Sequence, residues 1–172
     1  MAIYALGDRI PRIDPEAFVH PDAVIIGSVR IGPESTIWPT AVLRGDHGDI
    51  TVGSQTSIQD GTIVHCTAAL PTTIGDRCVV GHNAHLEGCI VEDDCLIGSG
   101  SVVLHRAVIR SGGLVGAAAL IPNGMEVPSR SMALGVPAKI RHEAVAEGAF
   151  SAAVAMYVHN GHWYRGELRR LD

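Results

Sequence analysis

Aliphatic residues recur at every sixth position through most of the chain. From Val91 to Glu126 each hexad opens with Val or Ile, and a small or modest residue such as Cys95 or Ser101 follows four places later. An amphipathic helix would place apolar residues three and four positions apart and would contain few glycines. A fixed six-residue period is typical of a parallel β-helix, in which each short strand stacks on its counterpart one coil away. With three strands in each coil, the hexads between Ile13 and Ile121 predict about six coils.

Three segments break this six-residue period. Extra residues fall within 43–52 and within 64–74, and one residue is missing within 86–91. In a solenoid an insertion has to loop outward, and such loops are commonly on the binding face. We therefore expect functional side chains near these segments.

The pattern changes after about residue 138. Residues 142–157 are rich in alanine and other helix formers, which predicts a C-terminal helix. The predicted organisation is a parallel β-helix over residues 1–138, with a C-terminal helix and tail over residues 139–172 that pack on it. The expected fold class is all-β with one helix.

The stacking rule also predicts which polar side chains become neighbours. Hexads three apart lie on one face with strands roughly 4.8 Å apart, and the residue after each opener faces outward because side chains alternate. One outward column therefore contains Arg44, His65, Glu87 and Leu104. The outward positions of the adjacent face include Gln59, Asp60 and His82.

Two residues of the first column have the chemistry of metal ligands. His65 and Glu87 lie one rung apart, and a His with a carboxylate suits Zn, whose ligand bonds are ~2.0–2.2 Å long. His82 lies too far around the corner to join them in one chain, so three-fold association would have to bring it from a neighbouring subunit. His85 also faces outward, two residues before Glu87, and is an alternative ligand.

Composition and charge narrow the range of partners. The 172 residues fit one domain, and the net charge of −5 argues against nucleic acid as the main partner. No apolar stretch approaches the ~20 residues of a membrane span, and the first residues have no signal pattern, so we expect a cytoplasmic protein without membrane contact. The four cysteines form no CxxC pair and are expected to be small buried hydrophobes.

Four longer segments carry a resemblance to a known family. They are WPTAVLRGD at 38–46, TSIQDGTIVH at 56–65, TIGDRCVVGHNAHLEGC at 73–89 and GVPAKIR at 135–141. With them, the chain resembles the gamma-class carbonic anhydrases, a family of left-handed β-helix proteins. The resemblance implies a homotrimer with a C-terminal helix and a divalent metal at each subunit interface.

The resemblance also implies site residues. The family's metal takes two His from one subunit and one from its neighbour, and the matching positions are His65, His82 and, in the third place, Glu87. The RGD segment supplies Arg44 and Asp46, and the IQDG segment supplies Gln59 and Asp60. The implied reaction is the reversible hydration of CO2 to bicarbonate, a lyase activity, with Zn as the first choice of metal and Fe or Co as alternatives.

Each residue has an expected role in that reaction. Gln59 would orient hydroxide or substrate, and Arg44 with Asp60 would hold two subunits in register. Arg44 and Asp60 could equally form an interface ion pair that never touches substrate. The family's third ligand is a His, whereas this chain has Glu87, and a carboxylate ligand should make a bound water less acidic than three neutral ligands do.

Two other functions remain open from the sequence. Glu87 is compatible with a metal-binding or scaffold trimer that has kept the family's assembly and lost its catalysis. Acyl transfer from CoA is a further alternative, by analogy with other hexapeptide-repeat proteins, and His47 in the first insertion would be its general base.

Overall fold

The computed structural model describes residues 2–172, which form twenty short strands and one helix. The strands are β1 Ala2–Tyr4, β2 Arg12–Ile13, β3 Phe18–Val19, β4 Val24–Ile31, β5 Thr36–Ile37, β6 Val42–Val52, β7 Ser57–Ile58, β8 Ile63–His65, β9 Thr72–Ile74, β10 Val79–Val80, β11 His85–Glu87, β12 Ile90–Val91, β13 Leu96–Ile97, β14 Val102–Val103, β15 Val108–Ile109, β16 Leu114–Val115, β17 Leu120–Ile121, β18 Glu126–Val127, β19 Met132–Leu134 and β20 Lys139–Arg141. The helix, α1, runs over Ser151–Glu167.

The strands stack into a parallel β-helix with a triangular path. One face has the order β3-β5-β7-β10-β13-β16-β19, all parallel, and β20 closes it as an antiparallel edge. The other two faces, β8-β11-β14-β17 and β9-β12-β15-β18, are joined because the long strand β6 pairs with both β8 and β9. The predicted fold class, a left-handed parallel β-helix with a C-terminal helix, is confirmed. Seven parallel strands on the first face make one coil more than the sequence predicted.

The interior is filled by one aliphatic side chain per strand. The hexad openers are fully buried, among them Ile37, Ile58 and Ile97. Cys78 and Cys95 are buried at the corners, and all four cysteines are free, as expected of small hydrophobes. Burial of these ladders of methyl groups on every rung supplies the main driving force for the fold.

The two insertions have different structures. The first stays inside strand β6, where the pairing with β4 shifts from Gly27–Gly45 to Val29–Ile50, so residues 46–49 bulge outward from the ladder. A Cβ on Gly27 would lie 2.2 Å from the Gly45 carbonyl oxygen, so only glycine permits this close approach beside Asp46. The second insertion, residues 66–71, lies between β8 and β9 as a loop.

The C-terminal segment differs from the prediction in its boundaries. The sheet continues to Arg141 in β20, and the helix begins at Ser151 instead of residue 142. The predicted start is wrong because the chain takes left-handed conformations at Glu143 and Gly148, which a continuing α-helix cannot contain. The division of the chain at residue 138 stays a prediction.

Helix α1 lies along the first face of the β-helix and packs on β3, β5 and β7. Its Tyr164 ring meets Trp38 with ring centroids 5.0 Å apart and Phe18 at 6.0 Å, both edge to face. These contacts hold the helix by aromatic packing. No helix in residues 2–172 has the length and apolar content needed to cross a membrane.

Candidate functional site

The structure confirms the register on which the site prediction depends. His65 of β8 pairs with Arg44 of β6 on one side and with Glu87 of β11 on the other. All three side chains point outward, because the hexad openers before them fill the core. Parallel stacking alone therefore brings together Arg44, His65 and Glu87, which are successively 21 and 22 positions apart in the chain.

His65 lies between two carboxylates. Its Nδ1 is 2.9 Å from Glu87 Oε1, and its Nε2 is 3.0 Å from Asp46 Oδ1. The other oxygen of Asp46 accepts a hydrogen bond from Arg44 Nη1. Since both ring nitrogens face carboxylate oxygens, a doubly protonated imidazole would donate to both, and a metal would have to replace one of those protons.

The surroundings favour the ionised form of both carboxylates. Burial alone would raise the pKa of Asp46, but hydrogen bonds from His65 and Arg44 outweigh it and lower the pKa to about 2. Burial would likewise raise the pKa of Glu87, but its contacts with His65, His105 and His85 outweigh that effect and hold the pKa below its ordinary value. Both groups are thus anionic at neutral pH.

Glu87 is contacted by two further histidines. His85 Nε2 lies 3.3 Å from Glu87 Oε2, and His105 Nε2 lies 3.5 Å from Glu87 Oε1. The sequence pointed to His85 as an outward neighbour. It also placed His105, now seen in the turn after β14, one rung beyond Glu87, but as a structural residue and not as a contact of Glu87.

The remaining predicted residues lie at another corner of the coil. His82 Nδ1 is 2.9 Å from Asp60 Oδ2, and both side chains are about half exposed, at 51% and 47%. Gln59 is buried beside Tyr157 of α1, whose pKa is raised by burial although a hydrogen bond with Gln59 opposes this. Within one chain Asp60 therefore pairs with His82, and Arg44 pairs with Asp46; an Arg44–Asp60 pair between subunits stays a prediction.

A catalytic Zn takes three protein ligands and keeps one position open. Among residues 2–172, no three His, Cys, Asp or Glu side chains are arranged to hold an ion. One chain does offer two ligands of suitable type, His65 and Glu87, with donor atoms 2.9 Å apart. In a tetrahedral site with bonds of ~2.0–2.2 Å, ligand atoms lie roughly 3.3 Å apart, so a small spreading of this pair would admit the ion. The chain thus fits a metal as half of a site, and a second chain would have to complete it.

Comparison with known proteins agrees with the repeat and the motifs. The family model described as bacterial transferase hexapeptide (six repeats) matches residues 71–105. Gamma carbonic anhydrase 2, mitochondrial, of Arabidopsis thaliana is 44% identical over 138 residues, which are 77% of this chain and 50% of the plant protein. The carnitine operon protein CaiE of Escherichia coli K12 is 40% identical over 139 residues, which are 81% of this chain and 71% of CaiE. The chain belongs to the gamma-class carbonic anhydrase family of hexapeptide-repeat proteins.

Two solved structures share the fold over nearly the whole chain. A Bacillus cereus protein described as a putative acetyltransferase superposes with a TM-score of 0.93 at 34% identity, covering 96% of this chain and 97% of its own. A hexapeptide transferase family protein from Anaplasma phagocytophilum gives 0.89 at 33% identity, with 95% and 98% covered. This chain spans about half the length of the plant carbonic anhydrases that it matches. The relatives carry different functional names, so the reaction has to be argued from the residues of this chain.

Proposed function

We propose that this gamma-class carbonic anhydrase family member is a homotrimer that hydrates CO2 reversibly at a divalent metal held between subunits. The observation that carries the proposal is the stacked, outward-facing pair of His65 and Glu87, whose donor atoms already lie 2.9 Å apart. The third ligand would be His82 of the partner subunit. The names of the plant relatives support the same reaction.

The position of His82 favours a site shared between chains. Its ring is half exposed, and among residues 2–172 it pairs only with Asp60, through Nδ1, which leaves Nε2 to meet a neighbouring subunit. The His65 and Glu87 side chains are much less exposed, at 15% and 23%, and would lie at the base of the shared site. The half-exposed His82 of one chain could therefore reach the recessed His65 and Glu87 of another and complete the metal site.

Two imidazoles and one carboxylate are an established ligand set for Zn with an open position, and the same set suits Fe(II). When bound, such a metal would supply Lewis-acid chemistry and lower the pKa of water toward neutrality. Asp46 would hold the His65 ring in place through its 3.0 Å contact, and Arg44 would hold Asp46. Gln59, buried between the coil and α1, would orient CO2 or bicarbonate through its amide.

The test combines metal content, subunit mass and turnover. Protein loaded separately with Zn, Co and Fe(II) should be trimeric, contain one metal per subunit and hydrate CO2 in stopped-flow assays. His82→Gln should lose most of its metal while remaining folded, whereas His142→Gln, at an exposed histidine away from the site, should behave as wild type. A loaded trimer without metal-dependent hydration, or a monomer, would contradict the proposal.

A second candidate is a metal-binding or scaffold trimer without turnover. It is favoured by one observation: both nitrogens of His65 face carboxylate oxygens, so a metal at either nitrogen has to displace a contact that is already made. Substitution of Glu87→His separates the two functions. A variant that gains hydration activity over an inactive, metal-loaded wild type would favour the scaffold, and an active wild type would exclude it.

Acyl transfer has less support in this chain. His47 lies exposed on the β6 bulge, and the 910 Å³ groove between α1 and the coil turns is lined by other residues, including Arg77, Arg130 and Val158. Acetyl-CoA binding, measured by calorimetry, is expected to be undetectable.

A further inference from the structure

Glu87 is surrounded by more histidine than a two-ligand role requires. His65 approaches it from the preceding rung at 2.9 Å, His85 from the same strand at 3.3 Å, and His105 from the turn beyond β14 at 3.5 Å. Only His65 has a part in the proposed metal site. His85 and His105 are left without a function, although both direct Nε2 at the Glu87 carboxylate.

The position of His105 needs an explanation because its Nε2 is buried and has no hydrogen-bond partner within residues 2–172. A buried polar atom without a partner is unfavourable, so such atoms are rare in native structures. The nearest recorded charged group is Glu87 Oε1, at a distance slightly too long for a good hydrogen bond. A small rotation of the carboxylate would complete that contact.

The backbone beside Glu87 makes room for the His105 ring. Gly88 has φ +61°, and a Cβ there would lie 2.8 Å from His105 Cδ2 and 3.0 Å from Leu70 Cβ. A side chain at position 88 would therefore push His105 away from Glu87. The sequence LEGC places the residue that allows this approach directly after the carboxylate.

The two histidines contact different oxygens of the same carboxylate. His85 holds Oε2, and His105 faces Oε1, which also accepts from His65. Contacts on both oxygens fix the rotation of the carboxylate plane as well as its position. Groups of this kind orient metal ligands, and their loss typically weakens metal affinity about 10–100-fold.

We propose that His85 and His105 are positioning residues that hold the Glu87 carboxylate toward His65 and thereby set the affinity of the site for its metal. This inference rests on the proposed function, because it assumes that Glu87 is a ligand. His85, on the same strand as Glu87, and His105, on the next rung, together form what we call the Glu87 clamp.

The test uses Co2+ as the probe and measures its affinity and absorption spectrum in the intact protein. His105→Leu should weaken Co2+ binding about 10–100-fold and change the visible spectrum, while the subunit mass and the melting temperature stay near those of wild type. His105→Gln, whose amide can still donate to Oε1, should recover most of the affinity. His20→Leu, at a half-buried histidine that contacts Asp22, is the matched control and should bind as wild type.

A second variant and crystal structures of the variants complete the test. If His105→Leu does not fold, His85→Leu takes its place, because that ring contacts the other oxygen of the same carboxylate. Metal-free crystal structures of the variants should show the Glu87 carboxylate rotated away from His65. Unchanged Glu87 geometry together with Co2+ affinity within about 3-fold of wild type would overturn the inference. If the wild-type protein binds no Co2+, the proposed function fails, and the crystal structures alone decide whether the clamp exists.

Discussion

Asp46 connects the electrostatics of the site to the stability of the protein. Its carboxylate is tied to His65 and Arg44, and these contacts lower its pKa to about 2. The folded-state pKa is therefore below the unfolded value of about 3.9. Ionised Asp46 stabilises the fold fully above pH ~4, and this contribution is lost as the pH falls toward about 2.

We expect Asp46→Asn to be less stable than wild type by about 1–3 kcal/mol at pH 6, because charge-assisted hydrogen bonds are lost. The difference should shrink as the pH falls from 4 toward 2, because the unfolded chain then takes up a proton at Asp46 that the folded chain accepts only near pH 2. Urea unfolding at several pH values measures it, with Asp8→Asn, at an exposed aspartate, as the control. A difference that persists undiminished at pH 2.5 would show that the charge of Asp46 is not its source.

For single residues, the sequence predicted the face and coil on which a side chain lies better than it predicted which side chains touch. The column of Arg44, His65 and Glu87 followed from the hexad count alone and is confirmed by the strand pairing. The contact between Asp46 and His65 could not be predicted in this way, since it depends on how the β6 bulge turns Asp46 back toward the next rung. The contact of His105 with Glu87 could not be predicted for a related reason, because His105 belongs to a turn whose direction the hexad pattern does not specify.

Among the secondary-structure elements, helix α1 gives the sharpest test of packing. Gly161 is buried against β5, and a Cβ there would lie 2.7 Å from Thr36 Cγ2. Thr36 is itself buried and has a stiff, β-branched side chain, so it cannot move aside easily. Gly166, five residues later in the same helix, has open space around it.

Gly161→Ala should therefore destabilise the protein by about 1–3 kcal/mol, because the methyl group overpacks the interface between helix and coil. The matched change Gly166→Ala should stabilise it by up to about 1 kcal/mol, since alanine is the better helix former. Denaturant unfolding followed by Trp fluorescence is suited to both, because Trp38 lies under the helix. Equal changes in the free energy of unfolding for the two substitutions would contradict the close packing of α1 on β5.

The sequence predicted the strands more accurately than the helix. Each strand is marked by its own buried opener, so the hexad pattern locates it to within a residue or two. The Ala-rich stretch over 142–157 carried only helix propensity, which tertiary structure overrides. There the left-handed turn at Glu143 and the hydrogen bond from Val145 N to Arg130 O attach the segment to the coil and delay the helix to Ser151.

For the whole molecule, the β-helix gives a physical reason why the proposed metal site needs more than one chain. Most strands have only two or three residues, and among residues 2–172 no three metal-ligating side chains converge on one point. His65 with Glu87, and His82 with Asp60, therefore lie at separate corners. Association of subunits along a corner would join the two halves, and this is the central claim of the proposed function.

Mixed trimers test that claim most directly. Trimers of His82→Gln subunits, or of His65→Gln subunits, should each bind little metal, because every interface lacks one ligand. Trimers that contain both variants should recover one complete interface, formed by His65 and Glu87 of one subunit with His82 of the other, and with it one metal and metal-dependent CO2 hydration. Mixed trimers that remain without metal, while wild-type trimers are fully loaded, would contradict a site shared between subunits.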